Sequence, residues 1–242
     1  MKNTVFLLIL IFGMVMVVAS CKKDENSSSI STGCKAVTSC SATASSDNIT
    51  GISGGWMSGT YDKMIIHANS GLDVDNNTGC VSESSLLSGP TGTNSLKFQH
   101  VVTGANSYAD TASYYSDTSC SSPILTYTFG KEFTLGNDLS GLTASNLPST
   151  ATQFTYKDSC FDIYPYDAAG ATFINTLFSS TMFSAGTRLT CADDGKTYHG
   201  LLHVSDSSWD STASDNRTLL MEDKGSTAFS TWNDPDSITR ID

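Results

Sequence analysis

Glutamate is nearly missing from this chain of 242 residues: four of its 24 acidic residues are Glu (Glu25, Glu83, Glu132 and Glu222), and the rest are Asp. Asp, Ser, Thr, Asn and Gly compete with the helical backbone for hydrogen bonds and favour turns and strand edges. Helices are therefore expected as exceptions in a β-rich body with many loops. Basic residues are also few, 13 Lys and Arg against the 24 acids, for a formal charge of -11. That balance argues against nucleic acid and anionic lipid as partners. Histidine is scarce too, four in all; no Cys-x2-Cys pair occurs, and no Cys stands at ligand spacing from a His, Cys191 and His199 coming nearest. Neither zinc nor another cofactor is expected on these grounds. The one long uncharged apolar run, Val5 to Ala19, is shorter than the roughly 20 residues of a spanning helix. No segment repeats at a fixed short period, which argues against solenoids and propellers.

Lys2 precedes that run, and Val18-Ala19-Ser20-Cys21 and then Lys22-Lys23-Asp24-Glu25 follow it. A positive start, a short apolar stretch and small residues at the cut make residues 1–20 a secretory signal peptide. The ending resembles the lipobox of bacterial lipoproteins, an aliphatic residue and two small residues before a Cys. The resemblance implies that Cys21 becomes the first residue of the mature chain, with a thioether-linked diacylglycerol and an amide-linked acyl group. It would hold the protein to the outer membrane of the cell envelope. One acyl chain anchors marginally and two or three anchor stably. The residues after Cys21 also resemble the short Lys-plus-acidic export tether of surface lipoproteins in the Bacteroidetes group, which implies display outside the cell; a periplasm-facing anchor is the alternative.

After the signal peptide, residues 21–50 read as the lipidated Cys and a flexible tether, because Ser, Thr, Asn and Asp dominate and few large apolar side chains are present to offset ordering entropy. Residues 51–235 read as a single β-rich domain and 236–242 as a C-terminal tail. Six cysteines follow Cys21: Cys34, Cys40, Cys80, Cys120, Cys160 and Cys191. An even number in an exported chain points to disulfides, and six allow 15 pairings. Sequential pairing is the expectation: Cys34 with Cys40, Cys80 with Cys120, Cys160 with Cys191.

Period-two alternation marks the strands. Leu96, Phe98, His100 and Val102 share one face; so do Leu125, Tyr127 and Phe129, continued by Phe133 and Leu135 after Gly130. Phe154 and Tyr156, then Tyr198, Leu202 and Val204, then Leu219 to Met221 suggest further strands, for a total of about eight. Asp193-Asp194-Gly195 predicts a tight hairpin turn between the Arg188–Cys191 and Lys196–Val204 segments. One helix is expected: Asp167 is placed to cap it, and Phe173, Ile174, Leu177 and Phe178 fall on one face. The fold class is mostly β, an antiparallel barrel or curved sheet of about eight strands with one packed helix; a β-sandwich is the alternative. Gly54-Gly55-Trp56 resembles the Gly-x-Trp motif of lipocalins. The resemblance implies that Trp56 closes one end of the barrel and that Arg217 packs over it; the helix, lying between strands instead of after them, departs from that family. Tyr114 to Pro123 is similar to repeats in secreted half-barrel proteins, with no activity attached.

The candidate chemistry is thin. Gly51-Ile52-Ser53-Gly54-Gly55 matches a hydrolase nucleophile pattern, but that Ser must sit on a strand-to-helix turn beside a His, and here a strand follows. His199 and His203, four apart on a strand, would sit about 13 Å apart and read as exposed. His100 reads as a satisfied core histidine, and His67 has no acidic or Cys partner at ligand spacing. Asp73, Asp75 and Asn77 resemble the opening of a calcium loop, yet Thr78 and Ser84 occupy the positions that need Gly and Glu. These residues imply a non-enzymatic lipoprotein, anchored to the membrane through Cys21, whose β-domain binds an apolar or amphipathic small molecule. The alternatives are a surface interaction or envelope-structural protein without a cavity, and an envelope hydrolase.

Overall fold

The computed structural model describes residues 34–37, 39–67, 80, 89–143, 147–193, 197–205, 218–232 and 236–240, with 62–67, 218–220, 222–224 and 236–240 described by backbone alone. The strands are β1 (Ile49–Ile52), β2 (Gly55–Met57), β3 (Thr60–His67), β4 (Ser95–Gly104), β5 (Ser107–Tyr115), β6 (Pro123–Ser140), β7 (Thr150–Pro165), β8 (Leu189–Ala192), β9 (Tyr198–Ser205), β10 (Thr218–Gly225) and β11 (Asp236–Arg240). The helix among the described residues, α1 (Ala168–Leu177), lies between β7 and β8. No helix among the described residues is long and apolar enough to cross a membrane.

β3 to β7 pair antiparallel in succession, β9 pairs with β7, β10 with β9, β11 with β10, and β11 returns to β3. Each of these eight strands has a neighbour on both sides, so the expected curved antiparallel sheet of about eight strands is what forms. Only Thr60–Asp62 of β3 reaches β4, opposite Gln99–Val101. Below that level β4 to β8 continue as an open sheet, and α1 packs across its inner face.

The sheet's inner face carries two apolar clusters. Tyr61, Val102, Tyr108, Phe133, Phe154, Tyr156, Leu202 and Val204 fill the eight-stranded end, together with Ile49, Ile52 and Met57 from the β1–β2 hairpin. That hairpin acts as a plug. Gly54, at its turn with φ +90°, lies so close to Val204 O and the His203 ring that a Cβ there has no room. The other cluster joins Leu96, Ala112, Tyr114, Leu125, Tyr127, Phe129 and Ile163 to Ile174 and Phe183, with Phe173, Leu177 and Phe178 against it. Asp167 caps α1 as expected, its side chain accepting from Gly170 N–H at 2.9 Å. Gly170 in turn lets the helix approach Ile124 O. A third cluster buries Trp232, whose Nε1–H donates to Pro148 O at 3.0 Å.

Several expectations give way. Cys80 pairs with Cys120 as expected, but Cys34 pairs with Cys191 and Cys40 with Cys160. The segment read as a free tether up to residue 50 is therefore bound to the body from Cys34 onward among its described residues. Ala36 bridges Cys191, Ser45 N–H donates to Val102 O at 2.8 Å, and Ile49 is buried. This strap crosses the outer face at Gly130, where a Cβ would lie 2.6 Å from Cys160 Sγ and 3.2 Å from Cys40 Sγ. Nor is 236–242 merely a tail: Asp236–Arg240 is β11, lodged between β10 and β3. Its five residues hold one large apolar side chain, Ile238, too few for a periodic signal. Finally, β8 and β9 form no hairpin. Both pair with β7, β8 along Cys160–Ile163 and β9 along Thr152–Tyr156. They lie one after the other along the same side of β7, and Asp193 N–H at the break donates to Ser159 O. Residues 194–196 of the expected turn lie outside the described residues.

Candidate functional site

Between the two apolar clusters the inner face carries a row of ionisable side chains, one from each of β4 to β7: His100, Asp110, Lys131 and Asp158, at 0, 4, 7 and 4% exposure. Strand register builds the row. His100 is the direct cross-strand partner of Asp110, and Lys131 that of Asp158, and directly paired residues share a face. A register shift in the β6–β7 pairing between Gly130 and Lys131 lets Asp158 and then Phe161 and Ile163 all face inward.

The contacts are short. His100 Nδ1 lies 3.0 Å from Asp110 Oδ1; a carboxylate can only accept, so Nδ1 carries the proton. Lys131 Nζ donates to Asp110 Oδ2 at 2.8 Å and stands 3.4 Å from Asp158 Oδ1. The ammonium is also enclosed by aromatic rings, 5.8 Å from the Tyr108 centroid, 5.9 Å from Phe129 and 5.6 Å from Tyr156. Tyr108 lies against His100 with centroids 4.4 Å apart. Two carboxylates, one ammonium and one imidazole balance in charge when the imidazole is protonated. Burying such groups costs several kcal/mol per ion, and pairing returns little of it relative to an apolar core.

The surrounding tyrosines stay neutral. Burial, then the neighbouring Tyr127, pushes the Tyr114 phenol well up, and burial chiefly pushes Tyr127 up to about 12. Tyr198, half-buried at the start of β9, is raised by burial, then by Asp158 and Asp193.

The row contains one residue singled out by the sequence, His100, and its reading as a core histidine holds, with Nδ1 engaged by Asp110. Asp110, Lys131 and Asp158 were missed. The available signal was Lys131 itself, in phase with Phe129 and Phe133 on an apolar face. Ser53 sits in the β1–β2 turn, away from any strand-to-helix elbow. Its N–H donates to Thr152 Oγ1 at 2.7 Å and its Oγ to Asp138 at 3.3 Å, while His203 Nδ1 donates to Thr150 O at 2.9 Å. The carboxylate thus holds the Ser directly and the His is engaged elsewhere, which is not the relay a nucleophilic Ser uses. His203, expected exposed, is half-buried, and its burial lowers its pKa. Trp56 lies half-buried on β2 of the plug hairpin, with Met57 as the buried residue beside it. Cys21, Asp73, Asp75, Asn77 and Arg217 lie outside the described residues, as does the His67 side chain. Among the described residues no three His, Cys, Asp or Glu are gathered as a metal site. Comparison with protein-family models and with curated protein sequences gives no match.

Proposed function

We propose that this chain is an exported, lipid-anchored, non-catalytic recognition protein of the cell envelope, making its contacts through the outer surface of a solid β-domain. The observation that carries the reading is the partition of the cysteines. Of seven, six are consumed in three disulfides, the pattern of an oxidising compartment. The remaining one is Cys21, the residue the lipobox resemblance marks for acylation. With Cys34 bound to the body, residues 22–33 set the leash. Fully extended they reach at most about 45 Å, against about 100 Å for a free segment up to residue 50. The domain is held near the membrane.

The inner face is filled by its own side chains: Tyr61, Tyr108, Phe154, Tyr156, Leu202 and Val204 are all at most 3% exposed. That packing supports outer-surface recognition. The charged row between apolar clusters favours a second reading, an amphipathic ligand held inside with its polar group on Lys131. Native mass spectrometry of the mature protein, released from detergent, tests both. The expected species is the chain from Cys21 with three disulfides and its acyl chains, and nothing else. A further few hundred daltons that leaves on denaturation would carry the second reading; a species without acyl mass would overturn the anchor.

A further inference from the structure

We propose that the outer face of β4 to β8 is a shallow trough that binds a strand of uncharged polysaccharide. The proposal rests on the outer-surface reading above and names its ligand class. Its floor is made of short hydroxyl side chains from the two middle strands. Thr111 and Thr128 face each other across β5 and β6 with their oxygens 3.1 Å apart, and Ser113 and Thr126 do so at 3.0 Å. Longer residues in the same cross-strand rows form the walls: Lys97 and Gln99 of β4 on one side, Asp162 and Tyr164 of β7 on the other. Ser113 and Thr128 point away from the core but are only 8% and 5% exposed, so the floor offers a ligand mainly the less buried Thr111 and Thr126. The walls stand three strand spacings apart, about 14 Å between backbones, and the hydroxyl rows continue to Tyr115 over about 13 Å. The strap at Gly130 closes one end.

The chemistry selects the occupant. A sugar ring offers an apolar C–H face and a rim of hydroxyls, so it needs an aromatic platform beside donors and acceptors. Tyr166, 40% exposed, is one of two large hydrophobic side chains standing in solvent among the described residues. It meets Tyr164 edge-to-face, centroids 4.4 Å apart. Arg188 lies 5.2 Å over the Tyr164 ring and 3.7 Å from Asp162, which also accepts from Thr190 Oγ1 at 2.6 Å. Tyr115, hydrogen-bonded to Ser113, flanks the floor near Tyr166. The platform is therefore braced before any ligand arrives, which lowers the ordering cost of binding. An extended peptide would look for unpaired backbone groups at a sheet edge, whereas the floor strands β5 and β6 are hydrogen-bonded on both sides. An anionic polymer would meet a chain of formal charge -11 whose Arg188 is already engaged by Asp162.

Affinity electrophoresis of the full mature protein, in a polyoxyethylene detergent with no sugar headgroup, tests this. The gels contain mixed-linkage β-glucan, galactomannan, neutral arabinoxylan or soluble starch, with alginate as the anionic control. At least one uncharged polymer should retard the protein and alginate should not. Tyr164→Ala and Tyr166→Ala should each weaken that retardation at least tenfold with thermal melting unchanged, and Met182→Ala, which alters the other exposed apolar side chain, should leave it alone. No retardation by any uncharged polymer, preferential binding of alginate, or unchanged binding by both tyrosine variants would each overturn the trough. Failure here with a bare native mass removes only the glycan assignment. Failure together with a retained interior ligand removes the outer-surface reading as well.

Discussion

Replacing Lys131 by Met removes one charge from the buried row while keeping an unbranched side chain of similar shape. The ammonium touches Asp110 at 2.8 Å and Asp158 at 3.4 Å, with both carboxylates 95% or more buried. Its loss leaves two carboxylates in the interior without their cation. Removing one partner of a buried ion pair typically costs about 3 to 5 kcal/mol. For a domain of this size that corresponds to roughly 6 to 20 °C in melting temperature. Denaturation in guanidinium, followed by tyrosine and tryptophan fluorescence under non-reducing conditions, gives the number directly. The informative partner is the fourfold variant His100→Phe, Asp110→Leu, Lys131→Met, Asp158→Leu, which removes the row as a unit. By the same reasoning it should be as stable as the native protein or more so, by about 1 to 4 kcal/mol. A Lys131→Met protein within about 1 kcal/mol of the native one would refute the argument, because the carboxylates would then have found solvent or other partners.

Two further outcomes follow from the same interior. Tyr127, held neutral up to about 12 against 10 for a free phenol, favours the fold fully below pH 10, and that contribution fades as pH rises from 10 through 12. The shift is worth about 3 kcal/mol, so stability should fall over that window, and tyrosinate absorbance should show Tyr114 and Tyr127 titrating only as the protein unfolds. The Cys40→Ser, Cys160→Ser protein loses a bridge between residues 120 positions apart, worth roughly 5 kcal/mol in the chain-entropy model taken alone. Because Cys34–Cys191 encloses the same loop, the observed loss should be smaller, and limited proteolysis should cut first in residues 39–47; equal resistance to proteolysis would contradict the strap.

Much of the fold was legible because it is written locally. The alternation of Leu96 to Val102 and of Leu125 to Leu135 marked β4 and β6 and their inner faces. The Asp167 cap and the Phe173 to Phe178 stripe marked α1. The charged row was half legible: His100 sat on an apolar face, which named it as buried, but its partner Asp110 is ten residues away on the next strand. Trp56 drew attention by its motif, and the structure instead buries Trp232, which no motif marked.

The sequence by itself determined the β character, the capped helix and the set of six cysteines after Cys21. A period of two states which face a residue takes, and a cap needs only its immediate neighbours. Which strands become neighbours is a different quantity, decided by burying all the apolar faces at once. Only that closure brought Cys34 to Cys191 and Cys40 to Cys160, drew the short polar segment Asp236–Arg240 into the ring as β11, and set β8 and β9 one after the other along one side of β7. The same closure lined up four ionisable side chains and, on the other side of the same strands, two rows of hydroxyls beside a tyrosine pair, because residues paired across strands must share a face.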